Sequence, residues 1–249
     1  MGKNMPKFFV RQDQIEGELI TLLGDDAFHI SRSLRMAKGE HISVCDMQGE
    51  EYECELEEFL SDSVRARILS SRRIDNEPPK RIYLYQALPK GDKLDTVIQK
   101  AVECGVYEIC LFESERCVAK SKGDSEARKT ERRNRIALEA AKQCGRGYIP
   151  KVHETVGFRE AIASACSADL CLFCYEGESE RSLKKALLEH GKDVNSISIV
   201  IGSEGGFSLS EAAYAMEKGA VSVSLGKRIL RTETAAAFVL GCLVYEYEM

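Results

Sequence analysis

Apolar and polar residues alternate through the first third of the chain, which predicts short β-strands. In the segment Ser63–Leu69 the apolar and the charged side chains fall on opposite faces of an extended chain. The predicted strands are Lys7–Val10, Glu18–Leu23, His41–Asp46, Glu50–Leu60 and Ser63–Leu69. One helix is predicted over Asp25–Met36. Several short strands joined by tight turns favour a small closed barrel.

The pattern changes at a polar segment over residues 70–80, where Pro78 and Pro79 interrupt the periodicity. Beyond it, apolar runs predict strands at Ile82–Leu88, Tyr107–Phe112, Leu170–Tyr175, Ser196–Ile201 and Val221–Leu225. Amphipathic runs predict helices at Lys93–Cys104, Glu126–Cys144, Gly157–Ala165, Ser182–His190, Ser210–Lys218 and Thr234–Tyr247. This alternation predicts an α/β domain with a largely parallel sheet covered on both faces. We therefore expect two domains, at residues 1–72 and 73–249.

The composition excludes several classes of protein. With 44% hydrophobic and 30% charged residues, the chain of 249 residues is not a disordered or collagen-like one. No apolar stretch approaches the roughly 20 residues of a membrane span, and the N-terminus has no apolar signal-peptide core. The ten cysteines therefore indicate a reducing cytosol. Cys171 and Cys174 lie in an apolar run that predicts a buried strand, and we expect no metal site.

Charge is distributed unevenly along the chain. The net charge is −5, yet residues 116–151 hold 11 basic and 4 acidic residues, a local +7. Within the predicted helix, charged residues follow a 4-3-4-3-4 spacing that places them on one face: Arg128, Arg132, Arg135, Glu139, Lys142 and Arg146. Such a stripe suits phosphate contacts with RNA, and the alternative is a solvated helix face.

Two glycine-containing turns follow predicted strands. The first, residues 202–207, holds Glu204 between glycines, and the second, residues 226–234, holds three basic side chains. The carboxyl ends of parallel strands share one sheet edge, where ligands bind in α/β proteins. The alternative for each turn is a tight strand-to-helix connection, capped by Ser210 in the first and by Thr232 or Thr234 in the second. Two such turns side by side favour the ligand site.

A third turn, Gln86–Lys93, leads from a strand into a helix, with Asp92 placed as an N-cap and Lys90 available to contact phosphate or substrate. Further motifs are Gln99–Val106, Glu115-Arg116, Glu139–Arg146, Ile201–Phe207 and Leu225–Ala236, with Pro6–Phe9 and His29–Arg35 near the N-terminus. Together these motifs, in this order over nearly the whole chain, resemble the RsmE family of bacterial 16S rRNA uridine-N3 methyltransferases, in the SPOUT superfamily. Ser203 and Lys227 stand where that family usually has proline.

The resemblance implies a fold and a reaction. The fold would be a small PUA-like β-barrel that binds RNA, followed by a SPOUT-like domain with a trefoil knot. The methyl donor would be S-adenosylmethionine, and the target N3 of the uridine at position 1498 of 16S rRNA, in the assembled small subunit. The protein would act in the cytoplasm as a homodimer.

The chemistry of this reaction, taken with the resemblance, predicts roles for particular residues. Donor-binding residues would be Cys174, Tyr175, Gly202, Glu204, Gly205, Leu225, Gly226, Ile229, Leu230, Thr232, Thr234 and Ala235. RNA-binding residues would be Arg32, Arg35, Lys90, Arg116, Arg128, Arg132, Arg135 and Arg146. Because N3 of uracil must lose a proton and charge then develops on the carbonyl oxygens, Arg231 would stabilise that charge. Glu204 or Glu233 would assist the deprotonation.

Two other classes of function remain open from the sequence. One is a non-catalytic RNA-binding protein with a degenerate donor site. The other is an α/β enzyme that acts on nucleotides or phosphates, although no phosphate-cradling motif is present. Calorimetry with S-adenosylmethionine and with ATP separates the three.

Overall fold

A computed structural model describes residues 5–119 and 126–249 of the chain. They form two compact units. The first unit comprises residues up to 77 together with 141–149, and the second comprises residues 78–140 and 150–249. No helix among the described residues has the length and apolar character needed to cross a membrane.

The first unit is built on one six-stranded sheet. Its strands are β1 (Lys7–Phe9), β2 (Ile15–Glu16), β3 (Leu19–Leu23), β4 (His41–Cys45), β5 (Glu50–Phe59) and β6 (Ser63–Arg73), in the order β1-β4-β5-β6-β3-β2. All neighbours pair antiparallel except β1 with β4. Alternate side chains form a buried core that includes Phe8, Ile20, Ile42, Leu56 and Val64. The period-two pattern in the sequence therefore reports which face of each strand is buried.

The helix predicted over Asp25–Met36 is wrong in its length. The structure has a five-residue helix, α1 (Gly24–Phe28), followed by a π-helical turn at His29–Ser33. The segment then reverses at Arg35, which has a φ of 53°. A side chain rarely adopts this left-handed conformation, and it ends the helical turn before Met36.

The second unit is a parallel α/β layer structure, which confirms the predicted fold class. Its strands are β7 (Arg81–Ala87), β8 (Glu108–Glu113), β9 (Lys151–Gly157), β10 (Leu170–Cys174), β11 (Ser196–Ile201) and β12 (Val221–Val223), in the order β12-β10-β11-β7-β8-β9. Its helices are α2 (Lys93–Glu103), α3 (Glu126–Cys144), α4 (Phe158–Ala165), α5 (Leu183–His190), α6 (Leu209–Glu217) and α7 (Thr232–Glu248). The end of α3 from residue 141 belongs to the first unit.

The strand β9 is absent from the sequence prediction because it lies at the edge of the sheet. Among the described residues it pairs only with β8, through a register shift, and Val152 is its one fully buried side chain. The central strands β7, β10 and β11 are buried along most of their length. Their order places the loops that follow β12, β10, β11 and β7 side by side at one edge of the sheet.

Candidate functional site

A cavity of ≈ 550 Å³ lies at this edge of the sheet. Eleven of the twelve predicted donor-binding residues line it: Cys174, Tyr175, Gly202, Glu204, Gly205, Leu225, Gly226, Ile229, Leu230, Thr232 and Ala235. The twelfth, Thr234, is exposed on α7 and does not line the cavity. Arg231 lines the cavity as well, whereas Glu233 does not. The three strand ends thus bring together residues that are more than 60 positions apart in the chain.

Glycine is required where the loops meet. A Cβ at Gly205 would lie 2.9 Å from the Cβ of Arg116, and one at Gly202 would lie 3.1 Å from the ring of Phe207. Gly226 has a φ of 113°, a conformation that side chains rarely adopt. Glycine at these positions leaves the backbone amide and carbonyl groups uncovered by side chains along the cavity wall.

Thr232 does not cap a helix, contrary to one of the predicted readings of this turn. Its buried hydroxyl donates to the carbonyl oxygen of Gly202 at 2.6 Å and accepts from Nε2 of Gln86 at 2.9 Å. The N-cap position of α7 is Arg231, which makes no side-chain cap bond. Thr232 therefore ties α7 to β7 and to the loop after β11. Gln86 was not predicted, although a fully buried amide inside an apolar strand is a recognisable signal.

Ser208, rather than Ser210, caps the helix after the first glycine loop. Its hydroxyl accepts from the amide of Glu211, whose carboxylate accepts from the amide of Ser208 in return. Glu211 also accepts a bond from the amide of Glu115 at 2.8 Å. This capping box fixes where α6 begins and thus anchors one end of the loop.

We expect Thr232→Val to lower the free energy of unfolding by about 1–3 kcal/mol, because it removes two buried hydrogen bonds, to Gly202 and from Gln86, at nearly unchanged volume. Urea denaturation measures the difference. Thr234→Val on the same helix is the control, since Thr234 is exposed. Equal stability of the two variants would show that the hydroxyl of Thr232 does not hold the loops together.

Glu204 is fixed by the turn that follows β7. Its carboxylate accepts from Nζ of Lys93 at 2.6 Å and from the amide of Lys90 at 3.2 Å. Burial acts to raise the pKa of the Glu204 carboxyl, but these hydrogen bonds outweigh it and hold the pKa below its usual value. Nζ of Lys93 also lies 4.0 Å from Oε2 of Glu233. Sequence inspection missed Lys93, whose partners are remote in the chain.

Arg231 is exposed at the rim of the cavity. Within residues 5–119 and 126–249 its guanidinium forms no ion pair, so a structural pairing with Glu233 is not observed. Lys227 and Arg228 also line the cavity. Three basic side chains and the carboxylate of Glu204 therefore line the same cavity.

The structure places two predicted RNA-binding residues, Lys90 and Arg116, beside the cavity. Lys90 binds Glu204 through its amide, and Nη1 of Arg116 donates to the carbonyl oxygen of Gly205 at 3.2 Å. Both side chains are exposed. Arg32 and Arg35 are exposed in the first unit, at the end of the π-helical turn.

The basic stripe of α3 contains three exposed arginines, Arg128, Arg132 and Arg135. Arg132 pairs with Asp95, with Nη1 to Oδ1 at 3.0 Å, and Arg135 lies 3.6 Å from Glu131. The placement of Arg146 on this stripe is wrong. It lies beyond the end of α3, is 4% exposed and forms an ion pair with Glu77.

Within the described part of the chain, no group of three or more histidine, cysteine or acidic residues could hold a metal ion. Cys171 and Cys174 lie in β10, and both are free thiols. Burial raises the pKa of Cys174 to about 12, so its thiol stays protonated and acts as an apolar part of the wall.

Models of known protein families match both parts of the chain. A family model described as an RNA methyltransferase domain matches residues 76–244, and one described as an RNA methyltransferase PUA domain matches residues 22–69. The chain is 32% identical to the ribosomal RNA small subunit methyltransferase E of Bacillus subtilis, over 98% of each chain. It is 35% identical to that of Mesomycoplasma hyopneumoniae, over 95% of this chain and 97% of the relative. The crystal structure of a ribosomal RNA small subunit methyltransferase E from Neisseria gonorrhoeae bound to S-adenosyl methionine matches 98% of each chain, with a TM-score of 0.81 and 29% identity.

Proposed function

We propose, because this chain belongs to the family of ribosomal RNA small subunit methyltransferase E, that it transfers a methyl group from S-adenosylmethionine to N3 of a uridine in 16S rRNA. The observation that carries the proposal is the cavity at the carboxyl ends of β10, β11 and β12, where the predicted donor-binding loops converge. By family resemblance the nucleotide is uridine 1498. Mapping modified bases in 16S rRNA from a deletion strain, with and without the restored gene, tests it.

The cavity suits the donor in size and in chemistry. Its volume of ≈ 550 Å³ lies within the range of about 300–1,000 Å³ typical of small-ligand sites. Leu225 and Leu230 provide apolar walls, and the glycine loops expose backbone donors and acceptors for an adenine ring. The carboxylates of Glu176, Glu178 and Glu204 offer negative charge for a cationic donor. When bound, S-adenosylmethionine supplies an electrophilic methyl group on a sulfonium.

The chain's own residues prepare the acceptor. A carboxylate takes the proton from N3, and the negative charge that remains spreads onto the neighbouring carbonyl oxygens. Arg231, exposed at the rim, donates to those oxygens and lowers the energy of the transition state. The loops that hold Glu204 and Arg231 fix the distance between donor and acceptor, which contributes to the rate through alignment.

RNA binding depends on exposed arginines on both units. We expect the triple variant Arg128→Ala, Arg132→Ala, Arg135→Ala to weaken RNA binding and to flatten its dependence on salt by about 0.7–0.9 in log–log slope for each lost phosphate contact. Titrations of labelled 16S rRNA fragments over a range of salt concentrations measure the slope.

The matched control removes three charges from another exposed surface, through Lys184→Ala, Lys185→Ala and Lys192→Ala. An equal slope in the stripe variant and the wild type would show that the stripe is only a solvated helix face. Arg146→Ala is expected to lower the stability of the first unit instead, because it leaves Glu77 without its guanidinium partner.

The protein forms a homodimer in this proposal, and its C-terminal helix supports that. One side of α7 packs on α2 and β11, yet apolar residues also face outward, with Phe238 44% and Tyr245 72% exposed. A helix that is apolar on several faces is typically buried. The trefoil knot, the action in the cytoplasm and the assembled small subunit as substrate stay predictions from the resemblance.

The competing hypothesis is a non-catalytic RNA-binding protein, which requires a cavity that no longer binds the donor. Calorimetry with S-adenosylmethionine distinguishes the two hypotheses. Heat of binding at a single site supports the enzyme, and no heat of binding supports the non-catalytic protein.

A further inference from the structure

Lys93 lies between two carboxylates at the edge of the cavity. Its Nζ is 2.6 Å from Oε1 of Glu204 and 4.0 Å from Oε2 of Glu233, and its side chain is 33% exposed. Lys93 begins α2, Glu204 follows β11, and Glu233 belongs to the first turn of α7. One ammonium thus serves two carboxylates, and the three groups carry one surplus negative charge.

The two carboxylates share this ammonium unequally. Glu204 accepts the short bond from Lys93 and a second bond from the amide of Lys90. Oε2 of Glu233 is buried and accepts no hydrogen bond from any described residue. The Glu233 side chain is nevertheless 20% exposed, so solvent reaches its remaining atoms. The surplus charge therefore belongs to Glu233.

We propose that Lys93 is a positioning residue that makes Glu233, rather than Glu204, the carboxylate that accepts the proton from N3 of the uracil. The inference rests on the proposed methyl transfer. In this step the N3–H bond breaks, its electron pair stays on N3, and an O–H bond forms on Glu233. A proton on Glu204 would instead break a charged hydrogen bond, whereas a proton on Glu233 removes only the surplus charge.

The elements that carry these groups hold further charged residues. They are Lys90, Asp92 and Asp95 in or just before the first turn of α2, and Arg228 and Arg231 before α7, whose N-terminal end is positive. Asp95 is engaged by Arg132. Among the described residues, Lys93 is the one cation within 4.0 Å of the Glu233 carboxylate. A substitution of Lys93 or of Glu204 therefore changes how much positive charge the Glu233 carboxylate meets.

Carboxyl titration by carbon-13 NMR of the donor-free, full-length protein tests the charge sharing directly. Lys93→Met removes the cation and is expected to raise the pKa of the Glu204 carboxyl, which loses its charged hydrogen bond, by about tenfold in the proton dissociation constant. Glu204→Gln frees the ammonium for Glu233 and is expected to stabilise the ionised Glu233 carboxylate. Lys100→Met, on the same helix but paired with Glu103, is the control and should move neither group.

The pH dependence of single-turnover methylation tests the catalytic part. The base must be ionised, so the rate falls below its pKa. The acid limb should move to higher pH in Lys93→Met and to lower pH in Glu204→Gln, and Glu233→Gln should lose the limb together with most of the rate. The opposite directions separate charge sharing from a loop-holding role, because loosened loops would lower donor affinity in both variants without moving the limb.

Two results would overturn the inference. A limb that disappears in Glu204→Gln but persists in Glu233→Gln would make Glu204 the base, and limbs that do not move would leave Lys93 a loop anchor only. If Lys93→Met fails to fold, the comparison of Glu204→Gln with Glu233→Gln still decides. A wild-type chain that methylates no ribosomal RNA would overturn the proposed function itself, which is a different failure from a methylating chain whose limbs stay in place.

Discussion

Gly226→Val is expected to abolish the binding of S-adenosylmethionine while the fold persists. Gly226 lines the cavity and has a φ of 113°, which a β-branched side chain does not tolerate without strain. A Cβ at this position meets no atom of residues 5–119 and 126–249 within 4 Å, so a clash with the core is not the cause. The loss would come from the changed loop and from the space that valine takes beside the donor. Calorimetry measures the affinity, and circular dichroism measures the fold.

Gly219→Val is the matched control. Gly219 also has a positive φ, 95°, with no atom within 4 Å of its Cβ position, but it follows α6 outside the cavity. We expect the two variants to lose comparable stability through backbone strain, and only Gly226→Val to lose the donor. Wild-type affinity in Gly226→Val would place the donor site elsewhere in the molecule.

The parallel sheet could be predicted from the sequence because its central strands are apolar on both faces. The strands β7, β10 and β11 stand out as short apolar runs bounded by polar turns. The edge strand β9 carries no such signal, because Lys151 and Glu154 are exposed and His153 is only half-buried. Whether a strand lies at the edge depends on the order of all the strands in the sheet, so the local pattern of apolar residues does not predict it.

The two glycine loops that line the cavity could also be predicted from the sequence, but their contacts could not. Glycine after a buried strand marks a loop in which the backbone is exposed, and this is a local signal. The bond from Lys93 to Glu204 joins residues 111 positions apart, and the bond from Gln86 to Thr232 spans 146 positions. No periodicity relates such pairs. The helical spacing also misplaced Arg146, because Gly145, with a φ of 78°, ends the helix before the stripe is complete.

Arg231→Ala is expected to reduce the single-turnover rate of methyl transfer by ~10²–10³, the typical cost of removing a donor to a developing oxyanion. The guanidinium is exposed at the rim and makes no ion pair with a described residue, so it is free to bind the carbonyl oxygens of the uracil ring. Donor and RNA affinities should stay close to those of the wild type, because the interaction strengthens only as charge develops. Rapid-quench methylation at saturating donor and RNA measures the rate.

Arg231→Lys distinguishes charge from geometry. An ammonium keeps the positive charge but lacks the planar fork that bonds two acceptor atoms, so we expect a rate between those of the alanine variant and the wild type. A structural arginine would instead show its loss in donor affinity or in dimer stability. If Arg231→Ala transfers methyl at nearly the wild-type rate, the oxyanion is stabilised by another cation. Arg116 is then the next candidate, because its guanidinium already lies 3.2 Å from the carbonyl oxygen of Gly205, which lines the cavity.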